Sequence, residues 1–301
     1  MDLSVKIGGK ALNNPVGAAS GTFGYGKEYG PLCDLNKIGA IYTKAVSLEP
    51  RAGNNPPRLV ETPAGMLNSI GLANVGVDKF ISDKLPFLET LSAATVVNVA
   101  GSVEKDYFEV VEKLEDQNGI WGFEINLSCP NVKHGCMAMG ADPALVEKLV
   151  KELRGLCRKP LIIKLTPNVT DIASIAKAAE AAGADAVSCI NTLVGMAIDI
   201  KRKKPVLASI TGGLSGPAIL PVGLACVYKV SRAVKIPVIG IGGINSGPDA
   251  VQYLLAGASA IQVGTANFMD VRAAEKVLTG IKDYMEEEKI ENLDAFHQFI
   301  D

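Results

Sequence analysis

The sequence predicts a single (β/α)8 barrel, and three observations support that fold class: eight short apolar runs, helical segments between them, and one repeated unit. Apolar runs of this length are typical of parallel strands that are buried on both faces. The chain has 301 residues, which suits a barrel of roughly 250 residues with added loops. We therefore expect residues 1–301 to form one domain. A doubly wound open sheet is the alternative, but eight β/α units favour the barrel.

The eight predicted strands recur along nearly the whole chain, with helical patterns between them. Their predicted bounds are Val16–Ala19, Ala40–Ala45, Thr95–Ala100, Gly122–Leu127, Pro160–Leu165, Ala186–Ile190, Pro237–Ile241 and Ala260–Val263. Two segments, Ala182–Val187 and Ala256–Ile261, repeat the order of helix end, tight turn and strand start. Repetition of one β/α unit is typical of a closed barrel.

Three of the intervening helices have ends that the sequence itself predicts. One begins at Asp142-Pro143, because Asp suits the N-cap and Pro the first helical position. A second runs from Thr170 to about Ala182 and stops at Gly183, a residue favoured at helix C-termini. A third begins at Ser246, with Asp249 three residues on as the acid of a capping box.

Composition and charge narrow the possible functions. Hydrophobic residues make up 48% of the chain, so a packed core is expected in place of disorder. The net charge is −2, and a nucleic-acid surface would need a basic patch, so we expect no nucleic-acid partner. No run of about 18 apolar residues occurs, so we expect no membrane span. The start of the chain, Met1–Ile7, alternates like a strand and does not resemble a signal peptide.

Cysteine usage indicates a reducing compartment, and we expect a cytoplasmic protein. The six cysteines include no CxxC pair, and only two histidines are present. A structural zinc or iron–sulfur site in this chain is therefore not expected, and no metal site is predicted. A disulfide framework is also not expected in a chain of this length with a large core.

Three loops are predicted to be active-site insertions, following strands two, four and six. The first and third are Ser47–Asn74 and Ile190–Gly216, both longer than ordinary connections. The basic run Lys201–Lys204 within the third is predicted to be a solvated turn. The loop after strand four contains Asn126–Asn131, in which a cysteine, Cys129, lies between two amide side chains. A thiol there could act as a base or nucleophile once its proton is lost.

Polar side chains gather at the carboxyl ends of the predicted strands, where barrels place their catalytic groups. They are Ser20, Lys44, Asn98, Asn126, Lys164, Asn191 and Thr192. Alternation along a strand puts Glu124 and Asn126 on one face of strand four and Lys164 on the corresponding face of strand five. A buried charge without a partner is costly, so we predict that Glu124 and Lys164 pair inside the barrel.

Glycines after the last two strands predict a phosphate site. Gly242-Gly243 follows strand seven and precedes a helix, and Gly264-Thr265 follows strand eight. Barrels often bind phosphate at these two loops, where backbone N–H groups approach an anion closely. A phosphate there and a thiol loop after strand four would bracket flavin mononucleotide, with Lys164 near N1 of its ring. A Schiff-base aldolase using Lys164 is the rival interpretation.

Five motifs spread over roughly residues 3 to 270 carry a family resemblance. They are Asn126–Gly135, Asn68–Asn74, Ile190–Leu193, Gly212–Gly216, and Gly242-Gly243 together with Gly264-Thr265. In this order they resemble the dihydroorotate dehydrogenase family, and specifically its class 1B catalytic subunits. The resemblance implies that Cys129 takes a proton from C5 of dihydroorotate while hydride leaves C6 for N5 of FMN, yielding orotate for pyrimidine (UMP) biosynthesis.

The resemblance also implies the residues that hold each ligand. The implied substrate residues are Lys44, Asn68, Ser69, Ile70, Gly71, Leu72, Asn126, Asn191 and Thr192. The implied FMN residues are Ser20, Lys44, Ala45, Asn98, Asn126, Lys164, Ile190, Gly216, Gly242, Gly243, Gly264 and Thr265. Relatives often have Gly, Ser or Thr at position 45, so Ala45 offers only a backbone contact. Cys136 stands where many relatives have Gly, and we interpret it as incidental, with a redox role as the alternative.

The resemblance implies a protein partner, because the sequence has no NAD fingerprint and no CxxC cluster of its own. Class 1B chains form a homodimer core with a subunit that carries FAD and a [2Fe–2S] cluster and passes electrons to NAD+. A self-sufficient class 1A homodimer that reduces fumarate is one alternative. A subunit of dihydropyrimidine dehydrogenase, which shares the Asn-Leu-Ser-Cys-Pro loop, is another. Membrane-bound class 2 enzymes have an N-terminal helical extension and a serine base, and we expect neither here.

Overall fold

Eight parallel strands form a closed barrel in the computed structural model, which describes residues 1–127 and 136–298. The strands of this part of the chain are β1 (Val5–Ile7), β2 (Lys10–Leu12), β3 (Val16–Ala18), β4 (Ala40–Tyr42), β5 (Leu59–Thr62), β6 (Gly65–Asn68), β7 (Ala94–Val99), β8 (Gly122–Asn126), β9 (Leu161–Leu165), β10 (Ala186–Cys189), β11 (Leu193–Met196), β12 (Ile198–Asp199), β13 (Lys204–Pro205), β14 (Thr211–Ser215), β15 (Val238–Ile241) and β16 (Ala260–Val263). The barrel order is β3-β4-β7-β8-β9-β10-β15-β16, and β16 pairs with β3 to close it. The predicted fold class is confirmed, and all eight predicted strands are present.

Helices cover the outside of the barrel between successive strands. They are α1 (Val77–Lys79), α2 (Leu85–Leu88), α3 (Glu104–Glu115), α4 (Cys136–Ala141), α5 (Pro143–Leu156), α6 (Ile172–Ala181), α7 (Leu220–Ser231), α8 (Gly247–Leu255), α9 (Ala266–Met269) and α10 (Ala273–Glu287). A single π-helical turn, Phe80–Lys84, joins α1 to α2. Short 3-10 segments lie at Leu35–Lys37, Pro217–Ile219 and Leu293–Gln298.

The helix ends follow from side-chain caps, as the sequence predicts. The Asp142 carboxylate accepts hydrogen bonds from the first backbone N–H groups of α5, and Ser246 caps α8 together with Asp249. One predicted start was wrong by two residues: α6 begins at Ile172 and not at Thr170, and it is capped by Asp171, whose carboxylate accepts from the Ala173 N–H. A carboxylate is a stronger acceptor at this position than a hydroxyl.

Burial on both faces explains why the barrel strands appear in the sequence as continuous apolar runs. All five residues of β8 are buried. Phe123 and Ile125 belong to the main apolar core cluster, while Glu124 between them contacts side chains of other barrel strands. The register pairs Asn126 with Lys164 of β9. Strand alternation therefore brings polar side chains into the lumen without opening the core.

Two of the predicted insertions meet to form a second sheet. The segment after β4 contributes β5 and β6, and the segment after β10 contributes β11 and β14, in the order β11-β14-β6-β5. The two insertions are joined where β14 runs antiparallel to β6 and Leu214 pairs with Leu67. The basic run at 201–204 is exposed, and Asp199 accepts from its first two N–H groups, so it is a solvated turn as predicted. The predicted insertion after β8 falls on residues 128–135, outside the described residues.

Among the described residues, no helix has both the length and the apolar character that crossing a membrane requires. Within the same ranges, no group of three or more His, Cys, Asp or Glu side chains is placed to hold a metal ion. Cys33, Cys157, Cys189 and Cys226 are free thiols.

Candidate active site

A cavity of about 370 Å³ opens at the carboxyl ends of the barrel strands. Its volume lies in the range of small-molecule sites. The predicted site residues that line it are Ser20, Lys44, Ala45, Asn68, Ile70, Gly71, Leu72, Asn126, Lys164, Ile190, Asn191, Thr192, Gly216, Gly242, Gly243, Gly264 and Thr265. These positions come from the carboxyl ends of seven barrel strands and from both described insertions. The fold therefore brings nearly the whole predicted set to one place.

One end of the cavity is made of glycine backbone. Gly216 and Gly243 have φ of 94° and 74°, a region that favours glycine. A Cβ on Gly243 would lie 2.6 Å from the backbone N of Leu220, so the turn itself excludes a side chain there. Gly264 differs, because its nearest neighbour for a Cβ would be the Ala19 methyl at 3.6 Å. A side chain at Gly264 would therefore fit without a clash, and it would occupy space in the cavity.

This glycine end fits a phosphate group. Backbone without side chains lets N–H groups approach an anion closely. The Tyr253 hydroxyl, which is buried, donates to the Gly242 carbonyl at 2.6 Å and fixes the loop after β15. Burial raises the pKa of Tyr253 far above its usual value, so the hydroxyl stays a donor. The loop that forms the glycine end is therefore anchored to α8, the helix that carries Tyr253.

The floor of the cavity carries a buried ion pair. The Lys164 Nζ lies 3.3 Å from Glu124 Oε2, and neither side chain is more than 7% exposed. The predicted pairing of these two residues is confirmed. Glu124 also accepts hydrogen bonds from Asn98 at 2.6 Å, from Ser188 at 2.8 Å and from Gln262 at 2.8 Å.

A second lysine, Lys44, lies on another side of the cavity after β4. Partial burial lowers the pKa of Lys44, and the nearby Arg58 guanidinium lowers it further, while Glu28 acts in the opposite direction. An ammonium disfavoured in this way gains from an anionic ligand, since a nearby negative charge stabilises the protonated form. A carboxylate or phosphate beside Lys44 would supply such a charge.

Amide side chains cluster between the two lysines. Asn191 Nδ2 lies 3.4 Å from Asn126 Oδ1, and the Asn191 Oδ1 accepts from the Thr192 N–H at 2.9 Å. The Tyr107 hydroxyl donates to the Asn126 carbonyl at 3.0 Å and holds the end of β8. Amides offer both a donor and an acceptor, which suits the edge of a ring that carries N–H and C=O groups.

The loop from Asn68 to Leu72 borders the cavity. Leu72 has φ of 56°, an uncommon conformation for a residue with a side chain. The Asn74 Nδ2 donates to the Leu72 carbonyl and to Ser47 Oγ, both at 2.7 Å, while Asn68 Nδ2 donates to the Gly213 carbonyl. Strain of this kind persists where surrounding bonds hold it, often at ligand sites.

Two of the predicted site residues, Ser69 and Asn98, are not among the residues that line the cavity. Ser69 is 1% exposed, and its hydroxyl bonds to Asn54 at 2.8 Å and Ser209 at 2.5 Å, so it braces the two insertions. Asn98 is fully buried and donates to Glu124 below the floor. Alternation placed Asn98 inward correctly but did not show its depth along the strand. Cys129 lies outside the described residues.

Several lining residues were missed by the sequence analysis. Ser215 accepts a hydrogen bond from the Thr265 hydroxyl at 2.8 Å, and both side chains line the cavity. Leu59 and Met66 enter from β5 and β6, and Phe268 enters from α9. Ser215 could have been inferred from its place beside Gly216. The others depend on how the insertions fold over the barrel, which local pattern does not show.

The closed barrel and its cavity define a (β/α)8-barrel protein of the enzyme type, with its site at the carboxyl ends of the strands. Comparison with known proteins then gives the family. Residues 2–285 match the family model described as dihydroorotate dehydrogenase. The chain belongs to the dihydroorotate dehydrogenase family.

Individual relatives agree with this assignment. The chain is 57% identical over 284 residues to the dihydroorotate dehydrogenase B (NAD(+)) catalytic subunit of Geotalea daltonii, covering 94% of this chain and 93% of that one. It is 54% identical to the protein of the same name from Alkaliphilus metalliredigens, covering 97% of each chain. A solved structure of the dihydroorotate dehydrogenase (DHODH) of Eimeria tenella in complex with ferulenol superposes with a TM-score of 0.79 over 97% of this chain and 86% of that chain. At 24% identity that structure supports the fold alone.

Proposed function

We propose that this protein oxidises dihydroorotate to orotate in pyrimidine biosynthesis, as the FMN-containing catalytic subunit of a class 1B enzyme. The observation that carries the proposal is the single cavity that joins a glycine-backbone end to two lysines and an amide cluster. Family membership and the names of the relatives support the substrate. On this proposal residues 1–301 form one FMN-binding barrel domain.

The proposal assigns the glycine end to the FMN phosphate, near Gly216, Gly243 and Gly264. The lining of Ser20, Ala45, Ile190 and the remaining cofactor positions supports this assignment. FMN bound there would supply the hydride acceptor, N5 of its ring. Lys164 then offers a fixed cation to the ring, supported by its contact with Glu124.

The substrate is assigned to the space between Lys44 and the amides. Lys44 would pair with the orotate carboxylate. Because burial lowers the pKa of Lys44, this anion would stabilise its protonated form. Asn68, Asn126 and Asn191 would bind the donor and acceptor edges of the ring. The backbone of residues 70–72, which borders the cavity, completes the pocket.

Cys129 is proposed as the base that removes the proton from C5 of dihydroorotate. The support is its position three residues after Asn126, which lines the cavity at the end of β8. A thiolate is a competent base near neutral pH because an unperturbed thiol has a pKa of about 8.5.

Electrons from the reaction are proposed to leave through a second protein. The relatives are named as catalytic subunits of an NAD(+) enzyme, and this sequence has no CxxC pair. The proposed partner carries FAD and a [2Fe–2S] cluster, binds each copy of a homodimer of this chain, and reduces NAD+. The free thiols of the described residues support a cytoplasmic setting.

Absorption and turnover of the purified chain test this function. We expect a flavin band with one FMN per chain, rapid bleaching by dihydroorotate, and NAD+ reduction only when the partner is added. Bleaching by dihydrouracil in preference to dihydroorotate would replace the proposal with a dihydropyrimidine dehydrogenase. Brisk fumarate reduction by the isolated chain would replace it with a class 1A enzyme. A colourless protein that borohydride traps with a carbonyl substrate would indicate a Schiff-base aldolase.

A further inference from the structure

The lumen of the barrel contains one carboxylate with an unusual number of donors. Glu124 is fully buried, and its two oxygens accept four hydrogen bonds from side chains of four other strands. Asn98 and Lys164 come from the neighbouring strands β7 and β9. Gln262 reaches it from β16, on the opposite side of the barrel. The position of this carboxylate is therefore fixed from all sides.

Three of the four donors are neutral, and only Lys164 carries a charge. In the described part of the chain, Glu124 is the one carboxylate within 4 Å of the Lys164 ammonium. The neutral donors Asn98, Ser188 and Gln262 would hold Glu124 in place whether or not the lysine were there. Lys164, in contrast, lies at the cavity floor with 7% of its side chain exposed, where an unpaired ammonium is costly.

We propose that Glu124 is a positioning residue that holds the Lys164 ammonium at the cavity floor, and so sets the reduction potential of the flavin. The inference rests on the proposed FMN site. A cation beside the ring favours the reduced over the oxidised flavin, since reduction adds electrons there. Without the Glu124 carboxylate, no carboxylate of the described residues pairs with the buried ammonium, so the lysine side chain is expected to leave its place beside the ring. The flavin then loses its cation.

The test is the midpoint potential of bound FMN in Glu124→Gln and Lys164→Met, together with the double variant. We expect Glu124→Gln to weaken binding of reduced relative to oxidised FMN about tenfold, which is about 30 mV more negative for a two-electron couple. Lys164→Met should shift the potential in the same direction. Adding Glu124→Gln to Lys164→Met should change nothing further, because the carboxylate acts through the lysine.

Glu115→Gln is the matched control. Glu115 is another nearly buried carboxylate, at the end of α3, and it accepts from the Arg158 N–H outside the lumen at 2.8 Å. Its loss is expected to lower the unfolding temperature of the apoprotein without moving the potential. This control separates a general loss of stability from an effect on the flavin.

Each outcome of this experiment supports or contradicts the role proposed for Glu124. An unchanged or higher potential in Glu124→Gln would overturn the proposal, as would an additive shift in the double variant. If Glu124→Gln fails to fold while the double variant folds, the carboxylate is needed because of the lysine, and the proposal stands. If neither folds, Glu124 is a structural residue and the proposal falls. Absence of FMN binding by the unmodified chain would instead refute the proposed function.

Discussion

At the scale of single residues, the two kinds of glycine in the cavity make different demands. Gly243 is required by the chain itself, because its φ is positive and a Cβ would meet the Leu220 backbone. Gly264 has no such neighbour, and its Cβ would meet only the Ala19 methyl at ordinary distance. A glycine that the protein does not need for its own packing is best explained by a ligand that lies against it.

This difference predicts opposite phenotypes for two alanine substitutions. Gly243→Ala should destabilise the fold by about 1–3 kcal/mol, the range for strained backbone. Gly264→Ala should leave stability within about 0.5 kcal/mol but weaken FMN binding at least about tenfold. Thermal unfolding of the apoproteins and FMN titration by fluorescence measure the two effects. Equal FMN affinity in Gly264→Ala and the unmodified chain would show that the phosphate lies elsewhere.

Cys129 gives a second residue-scale prediction. Cys129→Ala should bind FMN normally but reduce it with dihydroorotate at least about 10²-fold more slowly, the usual scale for loss of a general base. Cys129→Ser should also be slow at neutral pH, because a hydroxyl ionises far less readily than a thiol. Stopped-flow bleaching of the flavin band measures both rates. Undiminished bleaching in the alanine variant would remove Cys129 from the mechanism.

Lys44 and Cys129 together predict a bell-shaped dependence of kcat/KM on pH. The rising limb reflects loss of the thiol proton, near an unperturbed pKa of about 8.5. The falling limb reflects loss of the Lys44 proton, at a pKa that burial and Arg58 lower below 10.5. Lys44→Met should raise KM and abolish the alkaline limb. A plateau at high pH in the unmodified chain would argue against carboxylate binding by Lys44.

The lowered pKa of Lys44 also makes the stability of the fold depend on pH. The unfolded chain holds the Lys44 proton up to a pKa of about 10.4, whereas the folded chain releases it earlier. Between the two values the unfolded state binds more protons, so the Lys44 contribution makes the fold more stable as pH rises. At neutral pH the buried ammonium is a cost, which an anionic ligand offsets.

At the scale of elements, the two insertions were predicted as separate loops but fold as one sheet. Their lengths and compositions identified them, because long Gly- and Pro-rich segments after strands two and six are exceptional in a barrel. The pairing of β6 with β14 could not be predicted, since it joins residues about 145 positions apart, as in the Asn68–Gly213 hydrogen bond. The hydrogen bond between Ser69 and Ser209, which also joins the two insertions, could not be predicted for the same reason.

The Asn74 side chain predicts how this sheet supports the substrate. Asn74→Ala would free the Leu72 carbonyl and Ser47 and is expected to weaken orotate binding about tenfold while FMN binding stays unchanged. The matched control is Asn14→Ala, which removes a buried asparagine that bonds Lys37 and Val16 before β3. Both variants should lose about 1–3 kcal/mol of stability, and only the first should change orotate affinity in a titration of the flavin spectrum. Equal orotate affinity in the two variants would separate this loop from the substrate.

At the scale of the whole molecule, the barrel was predictable and the depth of its polar residues was not. Eight apolar runs with polar ends specify a closed barrel and the end at which the site lies. The alternation of side chains along β8 and β9 also predicted the contact of Glu124 with Lys164, which the structure confirms. The alternation of side chains along a strand cannot show how deep a side chain lies, so the full burial of Asn98 and its hydrogen bond to Glu124 were not predicted.

Because its first and last strands close the barrel, the barrel can be completed only late in the synthesis of this sequence. Because β3 pairs with β16, the edge of β3 stays open on the ribosome until Ala260–Val263 have been made. Gly264 and Thr265 emerge only after these residues, so the nascent chain cannot complete the glycine end of the cavity before the last barrel strand has been made. A chain truncated before β16 would therefore lack this end of the cavity and would expose an unpaired strand edge that invites aggregation.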